Sequence, residues 1–341
     1  VGSEMCIRDR GWNIETSTSK NLYWVNGQGT WRDPQHWSES SGGPGGACPP
    51  TEIDNVFFDG ASAIGAGDSV IVSSKNAVCR DMDWTGNFSQ CLIYSPDTNF
   101  LKIYGSLTFS EAMNNQFLGE IHFEATEVDQ HIASFGKLLH KNARFQGIDG
   151  GWELKDKLNV FDTLYHEHGS ISSNHNNIHT GRYYSNDTNN RELLLFTDTL
   201  FAQNEGFAFR LRAVNYEVDA DSSVLVFESN GAEMMIQLGD DMVFNNVHFQ
   251  GVDSKMSNGN HIIYNLVTFS ASVGVITGMA TIDTVIFFNN LGQIFDSDTI
   301  KVVISEGDQC RLEGNHVVEI AYFYGSATVE VENIIDTALF Y

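Results

Sequence analysis

Residues 142–149 read NARFQGID, and residues 246–253 read NVHFQGVD. One chain therefore writes N-x-x-F-Q-G-[IV]-D twice, 104 residues apart. The flanking segments alternate apolar and polar residues, the period-2 pattern of half-buried strands. KIYGSLTFS puts Ile103, Leu107 and Phe109 on one face. GEIHFEAT puts Ile121, Phe123 and Ala125 on one face and His122, Glu124 and Thr126 on the other. SVLVFES, NVHFQGV, NLVTFSA and TVIFFNN obey the same rule, each with a phenylalanine near the strand end and a small or polar turn after it.

The phenylalanine spacing decides the architecture. Phe123 to Phe145 is 22 residues, Phe227 to Phe249 is 22, Phe249 to Phe269 is 20 and Phe269 to Phe288 is 19. A period near 20 marks a solenoid, whose units bury their apolar faces only by stacking on one another. The connections carry no amphipathic helix, so the expected fold is all-β: a right-handed parallel β-helix with its phenylalanines stacked at ~4.8 Å intervals. D-T-[LIV], at Asp162, Asp198, Asp283 and Asp298, reads as a turn entering a strand. The two octapeptides then mark the same corner of two coils. Phe145 and Phe249 are core, Gly147 and Gly251 corners, Asp149 and Asp253 turns.

Composition agrees. All five prolines lie at or before Pro96, leaving 245 residues without one, as central strands require. Hydrophobic residues make up 42% of the 341, enough for a substantial core, and no apolar run reaches the ~18–20 residues of a membrane span. The net charge is −25, from 44 acidic against 19 basic residues. That excludes a nucleic-acid partner, because phosphate binding needs clustered Lys and Arg. An acidic shell suits solubility in salty water, with Ca²⁺ the one cofactor it would attract.

Residues 1–10, VGSEMCIRDR, resemble a translated sequencing adapter from a metagenomic read and are set aside. Residues 11–60 read as an N-terminal aromatic and glycine-rich cap, and residues 61–341 as the β-helix, a module of a longer chain that stops inside an apolar pattern. Cys48, Cys79 and Cys91 lie close enough in sequence for one disulfide among them; free buried thiols are the other reading, and the sequence leaves the pairing of Cys310 open.

The opening segment YWVNGQGTWRDPQHWSESSGGPGGACPPTEIDNVFFDG, with Trp24, Trp31, Trp37, Gly42 to Cys48 and Asn55 to Asp59, resembles the first module of large secreted surface proteins of Bacteroidetes. CRDMDWTG (79–86), LKIYGSLTFS (101–110), FQGIDGGWELKDKLNVFDTL (145–164) and GSISSNHNNIHTGRYYS (169–185) extend the likeness. The resemblance implies a secreted, adhesin-like protein associated with type IX secretion, and no chemistry. Trp24, Trp31 and Trp37 can cover the open end of a β-helix. Their indole faces can equally serve as a platform for sugar rings.

Three further groups carry candidate chemistry. His166 and His168 share a strand face and could ligate a metal, with His175 and His179 nearby. A plain β-helix turn, Ile171 and Ile178 inward and the histidines outward, is the competing reading. Arg210 and Arg212 share one face, with Asp219 and Asp221 close behind, the ingredients of a polysaccharide lyase that pairs a basic residue with carboxylate-held Ca²⁺. Asp240 with Asp241, and the Asp81–Asp83 and Asp296–Asp298 triplets, are candidate Ca²⁺ corners. The expected role is a non-catalytic secreted or cell-surface element binding glycan or cell surface through outward side chains. A lyase or glycosidase on the same fold and a purely structural stalk are the alternatives.

Overall fold

The computed structural model describes residues 18–73, 77–95, 99–220, 222–238, 242–259, 262–288, 291–296, 298–330 and 333–341. The chain forms two compact units, one ending at Asp156 and one spanning Lys157–Tyr341. Each is a parallel β-solenoid, and together they contain about 12 turns. Among the described residues the only helical element is a 3-10 turn at Pro34–His36, with Asp33 as its N-cap.

In the first unit each coil contributes to three rows of parallel strands. One row runs Asn21–Trp24, Asn55–Phe57, Met82–Asp83, Leu107–Thr108, Gln130–Ala133 and Gly151–Leu154. The second holds Gly29–Thr30, Ser69–Ile71, Leu92–Ser95 and Asn114–Phe117. The third holds Ala77–Cys79, Phe100–Ile103, Glu120–Phe123 and Ala143–Phe145. The faces fall as the alternation requires: Ile103, Leu107, Phe109, Ile121, Phe123 and Ala125 are buried.

The outer edge of Asn21–Trp24 is covered by Trp37–Ser38, which pairs with it antiparallel. An uncovered first strand would offer its N–H and C=O groups to any passing chain, and this return strand satisfies them. The tryptophans complete the cap. Trp24 and Trp31 meet Trp37 edge-on with centroids 5.0 Å apart, and below them Phe58 stacks on Trp84 at 3.7 Å. Trp24 Nε1 donates to Gly27 O, and Trp37 Nε1 to Trp31 O.

In the second unit the coils shorten. Arg191 lies opposite Tyr216, 25 residues on, whereas the corner bond from Ala280 N to Asp298 Oδ1 spans 18. The row Gly169–Ser172, Arg191–Leu194, Tyr216–Asp219 ends there. Two rows continue: long strands Met242–Phe249, Ile262–Phe269, Ala280–Phe287, Thr299–Ser305, Val317–Phe323 and Ile334–Phe340, and the shorter Ala232–Gln237, Ser254–Ser257, Val273–Thr277, Leu291–Asp296, Gln309–Gly314 and Ser326–Val329. Losing about seven residues per coil removes one short strand with its corner, which accounts for the missing third row.

The repeated octapeptides occupy equivalent corners. Phe145 stacks on Phe123 at 4.8 Å, and Phe249 on Phe227 at 4.6 Å. A Cβ on Gly147 would lie 1.7 Å from Ala125 O, and one on Gly251 2.0 Å from Ser229 O, so neither position admits a side chain. Asp149 and Asp253 both take left-handed backbone, φ 59° and 55°, which Asp tolerates better than most residues. Of the four D-T-[LIV] sites, Thr199 and Thr299 open strands, whereas Asp162 and Asp283 lie within long strands.

The phenylalanine ladder continues from Phe249 to Phe269 at 4.7 Å and to Phe287 at 5.2 Å. Phe287, not Phe288, holds the ladder position: Phe287 is fully buried and Phe288 is 47% exposed. Alternation from inward Val285 places Phe287 inside, and the coil is 18 residues rather than 19. Ring room is provided five residues on. A Cβ on Gly274 would sit 2.4 Å from the Phe269 ring, and one on Gly292 2.5 Å from that of Phe287. At the next rung Ser305 stands opposite Phe287, and Cys310 stands opposite Gly292. The ring and its small neighbour thus give way to two residues of intermediate size.

Cys79 and Cys91 are free, buried thiols, so no disulfide forms among Cys48, Cys79 and Cys91; Cys48 is disulfide-bonded, but to neither of them. Cys310 is also a free buried thiol. Burial pushes the Cys91 thiol up to about 11 and that of Cys310 to about 12. No helix among the described residues is long and apolar enough to cross a membrane.

An arginine and aromatic face as the candidate functional site

Strands Leu158–His166, Ile178–Ser185, Gly206–Arg212 and Ala232–Gln237 lie side by side in the second unit. Their inward residues, Leu164, Tyr183, Phe209, Leu211, Met234 and Ile236, are fully buried or nearly so. Because successive strand residues point to opposite faces, their neighbours face outward. One outward rung therefore runs Tyr165, Tyr184, Arg210, Met235 in direct register. Beside it stand Phe207, 40% exposed, and Arg212 opposite Gln237.

Arg210 is held by rings. Its guanidinium carbon lies 5.8 Å from the Tyr184 centroid and 5.4 Å from that of Phe207. A register shift between Phe207 and Phe209 brings Phe207 to this face instead of leaving it in strict alternation. Tyr165 meets Tyr184 edge-on at 5.5 Å. The Nε atoms of Arg210 and Arg212 are buried without a hydrogen-bond partner. Among the described residues neither arginine forms an ion pair, although acidic residues outnumber basic ones by 44 to 19. Arg182, also outward, lies 3.9 Å from Asp162, and Glu233 stands in register with Phe207.

A buried network fixes the underside of this face. His166 Nδ1 lies 2.7 Å from Tyr183 Oη, which lies 2.6 Å from Tyr216 Oη, and Arg191 packs its guanidinium 5.1 Å from the Tyr216 centroid. Arg191 donates to the carbonyls of Ser185, Asp187, Asn189, Arg212 and Val214, tying the turn before its strand to the one after Arg212. Burial lowers the Arg191 pKa, and nearby Arg212 adds to the effect. The same burial drops His166 to about 3, so it is neutral at any ordinary pH.

This network removes His166 from the metal candidates. Its Nε2 is 2.9 Å from Gly169 O, so both ring nitrogens are engaged, and the ring points into the core. His168 lies beyond the strand end and does not share its face. His175 is exposed, and His179 stacks on Phe201 at 4.1 Å. Asp221, Asp240 and Asp241 lie outside the described residues. Among the described residues no three His, Cys, Asp or Glu side chains gather as a metal site would require. Arg210 and Asp219 belong to different sheets, Asp219 pairing with Leu194 and Arg210 with Tyr184 and Met235, so the lyase pairing is not assembled on one face.

The tryptophans are likewise corrected. Trp24, Trp31 and Trp37 are at most 1% exposed, with their faces spent on one another, on His36 and on Phe58. They present no ring to a sugar. The aromatic groups that do face outward, Tyr165, Tyr184 and Phe207, are not flagged by sequence, although the alternation F-R-L-R marks the arginines beside them.

A second polar pair lies near the shorter coils. Asp298 and His316 are both about 1% exposed, with Oδ2 and Nδ1 3.6 Å apart. His316 Nδ1 accepts the Asp298 N–H at 3.2 Å and Nε2 faces Glu313 O at 3.0 Å, which sets the tautomer. Burial raises the Asp298 carboxyl to about 7 and lowers His316.

Fold and site together define a parallel β-solenoid with an outward cationic and aromatic face. No family model matches the chain, and neither curated proteins nor solved structures give a match.

Proposed function

We propose that this chain is a non-catalytic, adhesin-like β-solenoid, secreted or displayed at a cell surface, that binds glycan through outward side chains. The observation that carries the reading is the Tyr165–Tyr184–Arg210 rung with Phe207 beside it. Half-exposed rings on a rigid sheet suit the apolar faces of sugar rings, and an arginine with no ion pair among the described residues suits their oxygens. The likeness of the opening segment to Bacteroidetes surface proteins supports export. Parallel stacking fixes the spacing between rungs, so several weak contacts can act on one polymer. Retention on immobilised polysaccharides, without release of reducing ends or unsaturated products, is the expected result. Product release would favour the lyase or glycosidase reading, and no retention on any polymer would favour a stalk.

A further inference from the structure

We infer that the ligand of the arginine and aromatic face is an acidic polysaccharide, whose carboxylate or sulfate groups pair with Arg210 and Arg212 while its sugar rings lie on Tyr184, Tyr165 and Phe207. The inference rests on the glycan-binding reading and adds the charge class.

Three observations carry it. The first is missing compensation. Sugar hydroxyls can accept an arginine's hydrogen bonds but leave its charge uncompensated, whereas a carboxylate or sulfate supplies both. Among the described residues Arg80, Arg144 and Arg311 pair with Glu127, Glu120 and Glu313. Arg210 and Arg212 pair with no carboxylate among the described residues.

The second is preorganisation. Arg210 lies 5.8 and 5.4 Å from the Tyr184 and Phe207 rings, and the turn after Arg212 is tied by two Arg191 bonds, to Arg212 O and Val214 O. A planar guanidinium already held by rings loses less freedom when it takes a planar carboxylate or a sulfate edge.

The third is geometry. Arg210 and Arg212 sit two residues apart on one strand, so their heads are spaced by about 7 Å along it. Tyr165 and Tyr184 extend the rung across the strands at intervals of about 4.8 Å. A polymer crossing the strands meets rings first and cations next, which a single small anion would not need. Nucleic acid is the poorer occupant: its closely spaced phosphates require an extended cationic track, and this chain carries −25 overall.

The test is affinity electrophoresis of the full chain at about 0.15 M salt, where a screening length of ~8 Å damps the overall repulsion but leaves contacts intact. The gels contain alginate (carboxylate), dextran sulfate (sulfate), or the neutral polymers dextran and starch. Retention by alginate or dextran sulfate, and by neither neutral polymer, is expected; the arm that retains names the anion. R210A and R212A are each expected to weaken it by about tenfold or more, as loss of a charge-assisted hydrogen bond does. K301A, on a distant coil and paired only with Asp283, is expected to leave it unchanged. Circular dichroism and melting of each variant show that the fold persists. Acidic-polymer retention indifferent to both arginine variants overturns the inference, as does equal retention by dextran or starch, which would leave the glycan reading standing. Retention by none of the four overturns both.

Discussion

The rung at Ser305 offers a quantitative check on the core. Ser305 interrupts a ladder in which Phe249, Phe269 and Phe287 stack at 4.7 and 5.2 Å, and it stands in register between Phe287 and Phe323. Five residues after each of Phe269 and Phe287 comes a glycine that leaves room for the ring; five after Ser305 comes Cys310. S305F alone drives a ring into Cys310, an overpacking expected to cost about 1–3 kcal/mol. C310G alone removes a buried side chain and frees the backbone, costing about 1–2 kcal/mol. The double variant recreates the Phe/Gly rung of the preceding coils and adds two aromatic stacks worth roughly 0.5–1.5 kcal/mol each. It should be at least as stable as the parent, so the coupling in the double-mutant cycle is about 2–5 kcal/mol in the stabilising direction. Urea unfolding followed by far-UV circular dichroism measures all four proteins. Additivity within about 0.5 kcal/mol would refute the claim that ring and small residue share one space.

Two other substitutions probe separate parts of the account. G251A places a Cβ 2.0 Å from Ser229 O, a backbone atom that cannot step aside, and should destabilise by more than the roughly 0.4–1 kcal/mol by which an unstrained Gly→Ala change stabilises; an unchanged urea midpoint would contradict that corner. D298N removes a carboxyl whose pKa rises from 3.8 to about 7 on folding. Between about pH 4 and 7 the unfolded chain loses this proton while the folded chain keeps it, so the parent loses stability as pH rises, by up to about 4 kcal/mol. The variant lacks that slope and should gain on the parent between pH 5 and pH 8 in melting experiments, whereas parallel curves at both pH values would contradict the raised carboxyl.

Much of this fold was legible because strand periodicity needs only alternation and a repeat needs only spacing. Phe145, Phe249, Gly147 and Gly251 fall where the duplicated octapeptide puts them. Spacing alone misplaced one rung. An average near 20 hides the shortening from 25 to 18 residues, and it selects Phe288 where alternation from Val285 selects Phe287. The site was half legible. Arg210 and Arg212 alternate with Phe209 and Leu211 in sequence, but Tyr184 becomes a neighbour of Arg210 only through the register, and Phe207 joins them through a bulge that no local pattern announces. Asp298 and His316 are exactly one short coil apart, so the 18-residue period had to be known before they could be paired. The tryptophans show the limit of composition: cap and sugar platform call for the same residues, and burial alone separates them.

The most direct measurement is a crystal structure of the chain with a bound acidic oligosaccharide, chosen from whichever polymer retains it. The account predicts a parallel β-solenoid with sugar density over Tyr184 and Tyr165 and an anionic group within hydrogen-bond reach of Arg210 or Arg212. Density seated elsewhere, with the guanidinium groups of Arg210 and Arg212 left bare, would contradict it.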